Sequence, residues 1–180
     1  VDDLHALLAA ADLPVPVVLV AHSMGGLIAR QFAQTHPGEV AGIVFVDAFP
    51  AEMHEAMGDL WNGYAELLDR PGTPFDDDPG WEVFDLDESI DAVVGGPVVP
   101  DVPMFVISKT EPFPLPEDRA ALSAVLESAW VATAQDLVML GTRTPHLLAT
   151  GSDHYVQVRD PDLVAGAALI VIERIRGASG

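Results

Sequence analysis

Ser23 is the side chain in this sequence that is best placed to act as a nucleophile. It stands in the run VVLVAHSMGGL, residues 17–27, where a continuous apolar stretch leads straight into small residues. The stretch Val17–Ala21 predicts a strand buried on both faces, and Gly25–Thr35 predicts a helix. A serine at that corner lies at the C-terminal edge of a sheet and at a helix N-terminus, where a developing negative charge is stabilised.

The run resembles the nucleophile elbow of the α/β-hydrolase family, small-x-Ser-x-Gly, with Ala21 in place of the usual first glycine. The turn is so tight that side chains two residues before and after the serine are expected to collide, and alanine is small enough to be accepted. The resemblance implies that Ser23 attacks the substrate and that the backbone amide of Met24 donates to the oxyanion. An ordinary small residue capping a helix is the alternative. We interpret His22 as a neighbour that shapes the pocket, not as the base.

The candidate general base is His154, in the run TGSDHYVQ at residues 150–157. This run follows the last apolar stretch and resembles the histidine loop of the same family, in which the histidine comes after the serine and the acid. A neutral imidazole within hydrogen-bond reach of the serine takes its proton during attack and returns it to the leaving group. Taken alone, the histidine fits a surface position equally well. Asp153 is adjacent in sequence and badly placed to orient the ring.

The catalytic acid is open between two positions. Members of the family that resemble this chain often carry aspartate in a turn after the strand that follows the long insertion, but here that turn reads KTEP, with Glu111. The family also uses the end of the strand after the nucleophile helix, where the run FVDA offers Asp47. An aspartate at the C-terminal edge of a neighbouring strand can reach the imidazole and hold its tautomer. We favour Asp47 over Glu111, with a turn-capping role for Asp47 as the alternative.

The remaining pattern predicts an α/β protein with a parallel sheet of the α/β-hydrolase type. Apolar runs predict four strands that alternate with helical stretches: Val17–Ala21, Val40–Val46, Pro103–Ser108 and His146–Thr150. The stretch Pro116–Gly141 is expected to be helical with breaks inside it, and Asp160-Pro161 to open the last helix. Residues 1–48 and 102–180 are assigned to the hydrolase core, and the insertion 49–101 to a helical cap or lid.

The composition restricts the classes of partner. Of 180 residues, 49% are apolar and 20% are charged, which is typical of a globular protein with a sizeable core. Lys and Arg number 8 against 28 Asp and Glu, so the formal charge of -20 disfavours nucleic acid and leaves a small-molecule substrate. No apolar run approaches the roughly 20 residues of a membrane span. The sequence has no cysteine and its histidines are dispersed without ligand spacing, so neither a metal nor another cofactor is implied.

A longer N-terminal segment is expected to precede this sequence. Val1–Ala11 has the apolar spacing of the middle or end of an amphipathic helix. The family normally carries the first strands of the sheet before this point, with the loop that supplies the second oxyanion-hole amide. Without that segment the strand before Ser23 would be a sheet edge with unpaired backbone groups. Loss of one oxyanion donor costs about 3 kcal/mol of transition-state stabilisation.

The resemblance implies a cofactor-independent hydrolase of esters or related carbonyl substrates that works through an acyl-enzyme on Ser23. A serine at the elbow argues against the dehalogenase and epoxide hydrolase branches, which use aspartate there. Apolar side chains of the insertion are candidates for an acyl pocket, with plain packing as the alternative: Met53, Met57, Trp61, Tyr64, Phe75 and Trp81. Acyl transfer, carbon–carbon bond cleavage by the same triad and a non-catalytic binding role are kept as alternatives.

Overall fold

Four parallel strands form the centre of the molecule. The computed structural model describes residues 1–69 and 85–178. The strands in these ranges are β1 (Val17–His22), β2 (Val40–Val46), β3 (Met104–Lys109) and β4 (His146–Ala149), and they pair in the order β1-β2-β3-β4. Every pair is parallel because helices return the chain to the opposite end of the sheet between consecutive strands. The prediction of a parallel α/β sheet is confirmed.

The helices of the described residues connect and cover these strands. They are α1 (Asp2–Ala10), α2 (Gly25–Thr35), α3 (Met53–Met57), α4 (Trp61–Asp69), α5 (Leu86–Val94), α6 (Ala120–Met139), α7 (Val156–Arg159) and α8 (Pro161–Ala178). Single 3₁₀ turns lie at Pro37–Glu39, Gly58–Leu60 and Glu117–Arg119. Across residues 1–69 and 85–178, none of the helices combines the length and the apolar character that crossing a bilayer requires.

Alternate side chains of the central strands enter two different apolar layers. Ile43 and Phe45 of β2 pack with residues of α1, α2 and α6 on one face of the sheet. Val44 and Val46, between them in sequence, pack with α7 and α8 on the other face. Both strands β2 and β3 are almost completely buried because helices cover both faces. This explains why their sequences are continuously apolar instead of alternating.

Residues 49–101 contribute a third apolar cluster beside the carboxyl ends of the strands. Helices α3, α4 and α5 place side chains in this cluster, where they pack against Leu27 at the start of α2 and Trp130 of α6. Helices were predicted in this interval, and the structure has them. Phe75, Trp81 and the acidic run 76–78 lie outside the described residues.

Helix α6 corrects one expectation, because the stretch before β4 was predicted to contain breaks. The structure has one uninterrupted helix of 20 residues after a 3₁₀ turn. Its sequence contains neither glycine nor proline, and Pro116 stands just before the first turn, where proline is tolerated. The hydroxyl of Thr133, a poor helix former, donates to the carbonyl of Ala129 at 2.7 Å within the helix.

The strand before Ser23 lies at one edge of the described sheet. Its partner in these residues is β2, and the side chain of Val20 is 52% exposed. At the other edge, Leu148 of β4 is 57% exposed. The sites where strands β1 and β2 end are therefore close together at one corner of the sheet, while two strands, β2 and β3, separate β4 from β1.

Candidate active site

Ser23 lies at a sharp turn between β1 and α2. Its φ angle is +54°, a conformation that non-glycine residues rarely adopt and that surrounding contacts must maintain. Its carbonyl oxygen accepts hydrogen bonds from the backbone N–H groups of Gly26 at 2.9 Å and Phe49 at 2.8 Å. The second of these ties the turn to the segment that follows β2. Met24 is the N-cap residue of α2, beside the serine.

The close approach at this turn occurs at Gly26 and not at the position expected from the sequence. A Cβ atom added to Gly25 would lie 3.9 Å from Cβ of Ala21, an ordinary contact, so the two positions face each other across the serine and alanine fits at both. A Cβ atom on Gly26 would lie 2.8 Å from Cβ of Ala48 and 3.2 Å from backbone atoms of Phe49. Gly26 therefore allows α2 to approach the loop after β2.

A continuous hydrogen-bonded chain links the serine to a carboxylate. Oγ of Ser23 lies 2.9 Å from Nε2 of His154, and Nδ1 of the same ring lies 2.6 Å from Oδ2 of Asp47. With the proton on Nδ1 donated to Asp47, Nε2 is left as an acceptor for the serine hydroxyl. The three residues come from three separate segments: the turn after β1, the end of β2 and the loop between β4 and α7.

Asp47 is a buried carboxylate, and both of its oxygen atoms accept hydrogen bonds. It is 1% exposed, and it follows β2 with a φ angle of +39°. Its Oδ1 accepts from the backbone N–H of Lys109 at 3.0 Å and from the indole N–H of Trp130 at 3.0 Å, while Oδ2 accepts from His154. Three donors therefore surround one buried carboxylate, as a buried polar group requires.

The other acidic candidates lie elsewhere. Glu111 is exposed, and only its backbone is engaged: its N–H donates to Ser152 and its carbonyl accepts from the ammonium of Lys109. Asp153 forms an ion pair with Arg159 at 2.7 Å, and this hydrogen bond lowers the pKa of the Asp153 carboxyl. The structure therefore places Asp47, and neither Glu111 nor Asp153, against the imidazole.

His22 supports the loop that carries the imidazole. Its Nε2–H donates to the backbone carbonyl of His154 at 2.8 Å, and the two ring centroids are 4.5 Å apart. Burial lowers the pKa of His22, so its neutral form is favoured. The side chain holds the backbone of His154 in place and lies behind that ring, whereas the sequence predicted a pocket-shaping role.

A cavity of about 520 Å³ opens on Ser23 and His154. Its wall is mainly apolar and comes from α4, α6 and the segment after β3: Tyr64, Leu67, Leu68, Phe113, Leu115 and Leu126. Tyr64, a pocket candidate from the sequence, is part of this wall. Burial, and next the charge of Asp47, raises the pKa of Tyr64, which keeps its hydroxyl protonated.

Trp61 does not line this cavity, although the sequence made it a candidate. It is 2% exposed in the third apolar cluster, and its indole N–H points away to donate to Asp87 at 2.8 Å. Met53 and Met57 are also packed in that cluster. Trp61 and Tyr64 are three residues apart on one helix, and packing decides which of them meets the cavity.

Comparison with known proteins agrees with this architecture. The family model of the alpha/beta hydrolase fold matches residues 1–77. The Rv0554 protein of Mycobacterium tuberculosis has the same fold over 96% of this chain and 70% of its own, with a TM-score of 0.62 at 16% identity. The chain therefore has the α/β-hydrolase fold, and its first 77 residues match the model of that family.

Further structures show the same fold. A monoacylglycerol lipase of Paleococcus ferrophilus matches 97% of this α/β-hydrolase chain and 72% of its own, with a TM-score of 0.55 at 14% identity. A carboxylesterase of Nitrososphaera gargenis matches 96% and 71%, with a TM-score of 0.52 at 17% identity. An uncharacterised protein of Schizosaccharomyces pombe is 55% identical over 47 residues, which are 26% of this chain. The chain spans only 9% of the length of that curated relative.

Two aromatic residues of this α/β-hydrolase chain surround the imidazole and were not found from the sequence. The ring of Trp130 lies 5.7 Å from that of His154, nearly perpendicular to it, and Phe113 lies 5.0 Å away. Trp130 belongs to the middle of α6 and reaches Asp47 across 83 residues of sequence. No local pattern distinguishes such a tryptophan from any other residue on the buried face of a helix.

The structure also brings together histidines that are dispersed in the sequence. His5, His36 and Glu39 offer ligand atoms within 4.8 Å of one another. The two imidazole rings are stacked, with centroids 4.5 Å apart and planes 4° from parallel. A zinc ion lies about 2.0–2.1 Å from a histidine nitrogen, along a lone pair in the ring plane, and two parallel planes at this separation do not meet at such a point. Glu39 instead accepts from His5 at 3.1 Å and ties α1 to the turn before β2.

Proposed function

We propose that this chain carries the catalytic residues of a serine hydrolase that cleaves an ester or a related carbonyl substrate through an acyl-enzyme on Ser23. The observation that supports this most is the hydrogen-bonded series from Ser23 through His154 to Asp47, at the mouth of an apolar cavity. A nucleophile, a base within reach of it, and a third group that orients the base are the parts that such a reaction needs.

The proposed reaction begins with transfer of the Ser23 hydroxyl proton to Nε2 of His154 as Oγ attacks the carbonyl carbon. The backbone N–H of Met24, at the N-terminus of α2, donates to the resulting oxyanion. The tetrahedral intermediate collapses, and the leaving alcohol takes the proton from Nε2. Water, activated by the same imidazole, then hydrolyses the acyl-enzyme. Asp47 remains ionised throughout, holding the Nδ1 proton and stabilising the imidazolium form of His154.

The cavity and the charge of the protein favour a neutral substrate with an apolar acyl group. The walls beside Ser23 are leucine and aromatic side chains, and a volume of about 520 Å³ is enough for a small or medium-sized acyl chain. A formal charge of -20 would repel anionic substrates. Two of the proteins with the same fold named above are a monoacylglycerol lipase and a carboxylesterase, which agrees with an ester as substrate. In this proposal the segment 49–101 is the cap, since α4 supplies part of the cavity wall.

The alternatives make different demands on the same residues. A non-catalytic member would be favoured by the lack of an acid near the base, and here Asp47 lies within 2.6 Å of His154. Acyl transfer or carbon–carbon bond cleavage would use the same three side chains with another acceptor or substrate. Analysis of the products formed from a candidate ester, with and without an added alcohol, separates hydrolysis from acyl transfer.

Covalent labelling of the purified full-length protein with a fluorophosphonate probe tests the proposal. We expect labelling of the wild type and none of Ser23→Ala, because only an activated serine attacks the phosphorus. Ser108→Ala is the matched control: the hydroxyl of Ser108 also lies 2.9 Å from a histidine nitrogen, Nε2 of His146, and this variant should be labelled like the wild type. Folded wild-type protein that stays unlabelled, or labelling that survives in Ser23→Ala, would contradict the proposal.

A further inference from the structure

Trp130 contacts both the acid and the base. Its indole Nε1–H donates to Oδ1 of Asp47 at 3.0 Å, and its ring meets the edges of His154, Phe49 and Phe113 in nearly perpendicular contacts. It is 3% exposed. No other side-chain donor in the described residues reaches Oδ1 of Asp47.

The two oxygen atoms of Asp47 bind different partners. For Oδ2 to accept from Nδ1 of His154, the carboxylate plane must be held against rotation about the Cβ–Cγ bond. The backbone N–H of Lys109 and the indole N–H of Trp130 both bind Oδ1, and together they define that plane from two directions. Hydrogen bonds to an ionised, buried oxygen are among the strong ones in proteins.

We infer that Trp130 is a positioning residue for the base, acting through Asp47: its indole N–H holds the carboxylate so that Oδ2 faces His154. The role in turnover rests on the proposed hydrolase function, whereas the orientation of Asp47 does not. The Trp130 ring also lines the cavity beside Ser23, but the proposed effect of its N–H passes through two hydrogen bonds, from the indole to Asp47 and from His154 to Asp47.

Trp61 is the control that distinguishes this positioning role of Trp130 from ordinary packing. Both tryptophans belong to the same apolar cluster, at 2% and 3% exposure, and both meet Phe49 edge to face. Both indoles donate to an aspartate. The acceptor of Trp61 is Asp87, outside the active site, and that of Trp130 is Asp47. Replacement of either tryptophan by phenylalanine removes an indole N–H and part of a buried ring. Only the replacement of Trp130 removes a hydrogen bond to a residue of the triad.

The indole N–H also has an electrostatic effect on the Asp47–His154 pair. Its positive end faces the carboxylate and partly neutralises the negative charge that stabilises the imidazolium form of His154. Because the same N–H also orients the carboxylate, its removal should change how firmly the base holds its proton. Other titratable groups near the pair are His22, Tyr64 and Tyr155, while the ammonium of Lys109 is directed to Glu127 at 2.6 Å. All of these are unchanged in the variants below.

The kinetic test compares Trp130→Phe with Trp61→Phe in hydrolysis of p-nitrophenyl butyrate across pH. We expect Trp130→Phe to lower kcat roughly tenfold to hundredfold, the effect of one hydrogen bond to a charged group, with KM within about twofold. The acidic limb of the profile of kcat/KM against pH should be displaced from that of the wild type. Trp61→Phe should keep both the wild-type kcat and the wild-type profile. A variant with 3-benzothienylalanine at position 130, in which sulfur replaces the N–H at constant shape, should behave as Trp130→Phe.

A measurement without catalysis keeps this inference apart from the proposed function. In a Ser23→Ala background, the Nδ1 proton of His154 is observed by NMR, where its short bond to Asp47 gives a far-downfield signal. Trp130→Phe should shift this signal, and Trp61→Phe should leave it unchanged, even if the wild type proves to hydrolyse nothing. The inference is overturned if the folded 3-benzothienylalanine variant keeps the wild-type signal. It is also overturned if Trp61→Phe and Trp130→Phe lower kcat equally with an unchanged pH profile.

Discussion

The described residues contain two serine–histidine pairs with the same distance between the hydroxyl oxygen and the ring nitrogen, but the surroundings of the two pairs differ. Oγ of Ser23 lies 2.9 Å from Nε2 of His154, and Oγ of Ser108 lies 2.9 Å from Nε2 of His146. Ser23 stands at a strained turn before a helix, whereas Ser108 is within the extended strand β3 and is followed by another strand residue. The ring of His154 is held by a buried carboxylate, and that of His146 has no second hydrogen bond within the described residues.

The comparison shows that the serine–histidine distance carries little information about reactivity. The surroundings differ in the features that chemistry requires: a carboxylate behind the ring, a helix N-terminus in front of the oxygen, and room for a substrate. The cavity beside Ser108 has about 200 Å³ and contains the ion pair of Lys109 and Glu127. Trp130 borders both this cavity and the larger one beside Ser23. Changes that remove one feature at a time from the first pair should make it resemble the second.

The largest effect should come from removing the carboxylate behind His154. We expect Asp47→Asn to lower kcat for p-nitrophenyl butyrate on the order of ten-thousandfold, because the amide favours the tautomer of His154 with the proton on Nε2. The amide oxygen can still accept from Lys109 and Trp130, so the fold should persist. Circular dichroism checks the fold, and the kinetics check the loss.

Glu111→Gln is the control for this experiment, because Glu111 is the other acid considered from the sequence and its side chain is exposed. We expect its kcat to equal that of the wild type. A larger loss in Glu111→Gln than in Asp47→Asn would reverse the assignment of the acid.

The second effect concerns the turn that distinguishes Ser23 from Ser108. In Gly26→Ala the new methyl group would lie 2.8 Å from Cβ of Ala48, so either α2 or the loop carrying Asp47 must move. We expect the free energy of unfolding in urea to fall by about 1–3 kcal/mol, the usual effect of overpacking, with slower fluorophosphonate labelling of Ser23. Gly25→Ala is the matched control, since its nearest contact would be 3.9 Å. Equal unfolding free energies for the two variants would show that the close approach at Gly26 does not constrain the turn.

The parts of this site that the sequence could predict are those with a local pattern. Ser23 stood between a β-branched run and an amphipathic run, and the strands near it are six or seven residues long and mostly apolar. The order of serine, acid and histidine along the chain limited His154 to one loop. Asp47 was favoured because parallel strands end at the same edge of the sheet, and the structure brings it to the imidazole.

The parts of the site that the sequence could not predict depend on contacts between distant segments. Trp130 and Phe113 reach the triad through packing of α6 and of the segment after β3, and neither lies in a motif. Trp61 and Tyr64 have similar side chains on one helix, so sequence alone could not decide that only Tyr64 meets the cavity. The steric requirement at Gly26 arises from Ala48, in the loop after β2, and the sequence around Ser23 therefore could not indicate it.

The smallest effect is a pH dependence of stability that comes from His146, a member of the second pair, and from His22, which lies next to the first. Burial lowers the pKa of His146, beside Ser108, and of His22, behind His154, below the usual 6.5. As pH falls, the unfolded chain therefore takes up these protons first, so the stability that these rings provide is complete above about pH 6.5 and is lost below it. The difference in unfolding free energy between the wild type and His146→Asn should shrink between pH 7 and pH 5, and the same sign is expected for His22→Asn. Urea unfolding at several pH values measures it, and a constant difference for both variants would mean that neither ring is held neutral by burial.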